Sequence, residues 1–223
     1  MGKAVRSPSL KSENSKAIWL LVSADIVAIV LVLTGFAFTQ ASLTELAYSA
    51  FVRGILLAAA GPLIAVFLND LLPSNTKASI VFWHFKNALP GHRAFSEHAE
   101  ADPRIDLVAL KKKIGEFPQS PRDQNARWYQ IFQKHQSNVI VRDAHKRFLL
   151  FRDSSSLTLL ILLIAGIAAV LSGVPLGLQA MLVGGLAIQF LWLAFSARNT
   201  GIRLVQNVLA LESSDDEGKR NDR

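Results

Sequence analysis

The chain has 223 residues, a net charge of +7 and 51% hydrophobic residues gathered in blocks. Blocks approaching the ~20 apolar residues that a helix needs to cross a bilayer exclude an ordinary soluble domain. The absence of cysteine excludes disulfides, thiolate catalysis and Cys-ligated metal centres, and positive charge beside apolar blocks follows from membrane topology without any nucleic-acid partner.

Residues 1–16 are rich in Ser and Lys with few large apolar groups, and are expected to be a disordered cytoplasmic N-terminus. The apolar run that follows is longer than the h-region of a signal peptide, so it is expected to be an uncleaved first span. A second span is expected to end near residue 71, after a kink at Gly61-Pro62. Together, residues 17–71 read as a first transmembrane hairpin with an uncharged-to-acidic turn at 40–45 and Arg53 near its outer end.

Residues 72–155 read as a cytoplasmic helical domain. The run 79–85 (Ser-Ile-Val-Phe-Trp-His-Phe) is expected to be an interfacial helix or a continuation of span two. Residues 91–104 are polar and expected to be irregular. Leu107, Leu110 and Ile114 share one helical face, with Gly115 as its stop. Ser120-Pro121 predicts a helix start, and a break is expected at Ser137-Asn138. The stripe Val141, Ala144, Phe148 and Phe151 then predicts a helix that runs into span three.

Residues 156–197 read as a second hairpin turning at Gly173-Val174-Pro175. Residues 198–223 read as a short amphipathic helix followed by a disordered charged tail from Glu212 to Arg223. The turns at 40–45 and 173–176 lack Lys and Arg, whereas the N-terminus, the middle and the C-terminus carry nearly all of them. The positive-inside rule therefore places those three segments in the cytoplasm. The fold class expected is an all-α membrane protein: four transmembrane helices as two hairpins flanking a small helical cytoplasmic domain.

Asp25 stands out, because a carboxylate within a span costs roughly 3 kcal/mol on insertion scales and usually faces protein or water. Gln189 lies at a similar depth, counted from the cytoplasmic ends of the spans, and is its expected partner. The pair reads as polar glue between helices or subunits, or as an ion or proton path. All five histidines, His84, His92, His98, His135 and His145, fall in the middle, but none shows a metal-ligand spacing. Arg127, Trp128, Tyr129 and Arg142 mix bases with aromatic rings and could stack on a nucleotide or RNA, although the preferred reading has Trp128 and Phe132 packing the helical domain. Arg93 and His98 resemble the R-x4-H pair of HEPN-type ribonucleases, with Pro90-Gly91 and Pro103 fencing them into a short segment.

No phosphate-binding loop, nucleophile elbow or kinase signature is present, so no catalytic residue, metal or cofactor is assigned. The function expected is that of an inner-membrane, oligomeric effector or regulatory subunit. Its cytoplasmic domain would bind a protein partner or small ligand, with Arg93, His98, Arg127, Trp128, Arg142 and His145 as candidates. The alternatives are an oligomeric channel or transporter subunit using Asp25 and Gln189, or a membrane-face enzyme using the histidines and acidic residues.

Overall fold

The computed structural model describes residues 9–33 and 59–221, with side chains described as far as Ser214. The expected turn at 40–45, Arg53 and the first part of the second apolar block lie outside the described residues. Every described element is a helix.

Helix α1 spans Leu10–Leu33. Residues 10–16, expected to be disordered, are therefore helical. Ser9 explains the early start, because its hydroxyl accepts from the Ser12 amide at 3.2 Å, as a helix N-cap does. Helix α2, Gly61–Leu71, carries Pro62 in its first turn. Pro62 stands where its missing N–H would be unpaired anyway; Ala59 before it is also helical and Ala60 is a turn, and the earlier part of the span in which a kink is expected lies outside the described residues. Leu72 is extended ahead of Pro73, which ends α2.

Helix α3, Ser74–Phe82, is a separate element and not a continuation of α2. The segment 90–98, expected to be irregular, forms a 3₁₀ turn at Pro90–Arg93 and a π turn at Ala94–His98. Gln124 holds the π turn: its side-chain oxygen accepts from the amides of Phe95 and Ser96 at 3.1 and 3.2 Å. Helix α4, Leu107–Ile114, is capped by Asp106 and stopped by Gly115, whose φ of 81° suits a residue without a Cβ. Helix α5, Pro121–His135, has Ser120 as its N-cap. After the break at 136–138, α6 runs unbroken over Val139–Leu171. Residues 172–175 connect it to α7, Leu176–Asn221. The tail expected to be disordered from Glu212 is therefore helical as far as Asn221.

The chain divides into two compact units. The first comprises Met1–Pro73 and Leu149–Ala194. Its core gathers Ile18 and Val22 of α1, Ala65 and Leu68 of α2, Leu157, Ile161, Ala165 and Ala169 of α6, and Leu182 and Leu186 of α7. Three of the described helices, α1, α6 and α7, are long and apolar enough to cross a membrane, while α2 is apolar but short. Leu20, Leu63, Phe67, Ile164, Ile167, Val170, Met181 and Ile188 of this unit are exposed. So much outward apolar surface on helices that are apolar all round is stable in lipid, not in water.

The second unit comprises Ser74–Phe148 and Phe195–Arg223. Its buried residues include Phe95, Leu110, Ile131, Val141, Val205, Val208 and Leu209. Gly201 lets α7 approach α3 and α6 closely: a Cβ there would lie 2.9 Å from the Phe82 ring and 3.0 Å from that of Phe148.

Candidate functional site

In the first unit, α1 buries the stripe Asn14, Ile18, Val22 and Asp25 along one face. Asp25 ends that stripe only 5% exposed. Gln189 of α7 donates through Nε2 to both carboxylate oxygens, at 3.0 and 3.1 Å. The same Nε2 reaches the Thr158 hydroxyl of α6 at 3.3 Å. One amide thus joins α1, α6 and α7. Thr158 was not singled out in the sequence; its only signal is its position four residues after Ser154, on the face that continues into Ile161 and Ala165.

The start of α6 within this unit is polar and buried on all sides. Arg152, Asp153, Ser154, Ser155, Ser156 and Thr158 are each 6% exposed or less. Arg152 donates to Asp153 Oδ1 through Nε at 3.0 Å. Asp153 also lines a cavity of about 310 Å³ with Asn14, Asn69 and Asp70. Small hydroxyl residues at a helix contact let membrane helices approach closely. Gly61 has the same use: a Cβ there would collide with Ser23 Oγ of α1.

In the second unit the sequence candidates fall into separate roles. Trp128 packs on Gly91, where an added Cβ would lie 2.9 Å from its ring, and stacks on Phe132 with centroids 5.5 Å apart. His145 stands edge-on to the same Phe132 at 5.2 Å. The structure therefore brings Trp128 and His145 together around one ring. Arg127 is not with them: it donates to the carbonyl of Ile114 at 3.2 Å, closing the end of α4, and to Gln130 at 2.9 Å. Arg142 is exposed on α6.

Arg93 pairs with Glu97 at 3.2 Å. His98 is 7% exposed, and its buried Nε2 has no hydrogen-bond partner among the described residues. Burial pushes the His98 ring below its ordinary value, against the pull of Glu97. Of the R-x4-H pair, Arg93 is thus engaged with Glu97 and His98 is closed off from solvent. Nearby Asp102 is held below the usual carboxylate range by its hydrogen bonds to Arg104, at 2.6 Å for the shortest. Among the described residues no three His, Asp or Glu side chains are gathered as a metal site.

Sequence reasoning missed Glu212, which it placed in a disordered tail. Its carboxylate accepts from Lys134 Nζ at 2.9 Å and meets His135 Nε2 at 2.7 Å, while its backbone carbonyl accepts from Lys113 Nζ at 2.7 Å. Burial favours the protonated acid, but the hydrogen bonds and charges of Lys134 and His135 outweigh it and hold the carboxyl below its ordinary value. One residue of α7 thereby ties down the ends of α4 and α5. No protein-family model, curated protein or solved structure matches the chain.

Proposed function

We propose that the chain is a four-span, inner-membrane, non-enzymatic effector or regulatory subunit that assembles with copies of itself. In this reading both termini and residues 72–155 are cytoplasmic, and the second unit is the part that meets a protein partner or small ligand. The observation that carries it is the closed arrangement of Asp25. Gln189 donates to both carboxylate oxygens from within the same unit, and its Nε2 also reaches the Thr158 hydroxyl. A carboxylate used to lock helices together is then available neither to lipid nor to a passing ion, which favours the glue role over a pore lining. The polar diversity left for recognition lies in the second unit, where Trp128 and His145 share the Phe132 ring.

The test is reconstitution of the purified protein in liposomes and a measurement of proton and cation flux, with Asp25→Asn alongside. The glue role predicts no flux above protein-free liposomes in either protein and an unchanged oligomer on a native gel. Flux in the parent that Asp25→Asn abolishes, with the oligomer intact, would replace this reading with the channel or transporter one.

A further inference from the structure

The turn between α3 and the 3₁₀ segment is built around aromatic residues that the core does not use. Phe85 is 97% exposed and Trp83 is 52% exposed. Trp83 and Asn87 hold positive φ, 54° and 52°, without being glycine. For a residue as bulky as Trp83 that backbone is strained, and strain of this kind persists only where the surroundings impose it. Here the surroundings are residues of α7. The Arg198 guanidinium lies over the Trp83 ring at 3.5 Å, and Phe195 meets the same ring edge-on at 5.9 Å. Arg198 is itself anchored by donating through Nε to the Val81 carbonyl.

The place of this cluster along α7 gives it meaning. Phe195 is the last large apolar residue of the uncharged stretch of α7, which Arg198 ends. Arg198 fixes the 83–87 turn at that level, with Phe85 and Lys86 pointing away from the core as exposed residues. Aromatic rings with a neighbouring cation are the side chains that settle at the headgroup boundary, the ring in the acyl edge and the ammonium at the phosphates.

We infer that residues 83–87 form a lipid anchor, in which Trp83 and Phe85 enter the bilayer interface and Lys86 contacts phospholipid phosphate. Arg198 is a positioning residue, since its stack holds Trp83 in the strained turn. The occupant is the phospholipid of the same membrane that α7 crosses, so the inference rests on the membrane reading above.

The absence of cysteine makes the test clean. Single variants Phe85→Cys, Val108→Cys and Ile188→Cys are spin-labelled in phospholipid nanodiscs, and the label's accessibility to oxygen and to a water-soluble nickel complex is measured. Val108 is an exposed reference in the second unit and Ile188 an exposed reference in the apolar run. The anchor predicts a label at 85 immersed about 5–10 Å into the headgroup–acyl boundary. Its oxygen-to-nickel accessibility ratio should exceed that at 108 several-fold, and adding Lys86→Glu should move the label back toward water.

A label at 85 as water-accessible as that at 108, with 188 immersed, overturns the anchor and leaves the membrane reading standing. A label at 85 shielded from both relaxants means a protein partner covers the turn, and also overturns it. Water accessibility at 188 would overturn both readings. Unchanged immersion with Lys86→Glu removes the phosphate contact from the proposal.

Discussion

A carboxylate inside an apolar helix persists only when neighbours satisfy its oxygens, and Asp25 shows how few neighbours that takes: one glutamine amide serves both oxygens. Asp25→Asn keeps an acceptor for Gln189 and should change stability in detergent by less than about 0.5 kcal/mol. Asp25→Leu leaves the Gln189 amide without its main partner and should cost about 1–2 kcal/mol, the upper range for hydrogen bonds between membrane helices. Thermal melts of the two variants beside the parent check this, and equal melting of Asp25→Leu and the parent would show the contact to be idle. Glu212 gives the second residue-scale prediction. Its folded carboxyl lies below its ordinary value, so its contribution is present above the unfolded pKa and is lost as pH falls through the folded one. Lys134 is largely exposed and contributes little, whereas the His135 contact is buried on both sides. Glu212→Gln should therefore cost about 1–2 kcal/mol at pH 7. The deficit should shrink on acidification below the ordinary carboxylate range, as followed by denaturant unfolding in detergent at several pH values.

At the scale of elements, α7 is placed by one missing side chain. Gly201 sits against Phe82 and Phe148, both nearly closed to solvent. Alanine is a better helix former than glycine by about 1 kcal/mol, but the two rings leave its Cβ no room. Gly201→Ala should therefore destabilise by about 1 kcal/mol net and Gly201→Val by more. At Gly184 a Cβ meets nothing within 4 Å, so Gly184→Ala should be neutral or stabilising. Melting temperatures of the three variants decide it, and a stabilised Gly201→Ala would refute the close approach. The elements that were legible in the sequence are those with local signals: Ser120-Pro121 before α5, Asp106 and Gly115 around α4, and the break at Ser137-Asn138. Those that were not legible depend on distant partners. The π turn at Ala94–His98 needs Gln124, and the last turns of α7 are held through Glu212 by residues of α4 and α5. Composition alone makes both stretches look like loops. Depth along the spans pointed to Gln189 as the partner of Asp25, whereas Thr158 was hidden because a lone threonine in an apolar run carries no charge signal.

For the whole molecule, the described structure supplies three membrane-length helices and the shorter α2. The proposed four-span topology rests on the distribution of Lys and Arg, which concentrates in the N-terminus, the middle and the C-terminus. Surface chemistry is consistent with that proposal: leucine, isoleucine and phenylalanine are exposed on the first unit, while the second unit carries the ion pairs of Arg93, Arg104, Lys111, Lys134 and His135. The proposed function puts the recognition surface on one side of the membrane, so sidedness is the property on which the account stands. Reporter fusions at Ser42, Gly115 and Arg223 measure it directly. The account predicts outside, inside and inside; an external Gly115, or a cytoplasmic Ser42, would contradict it.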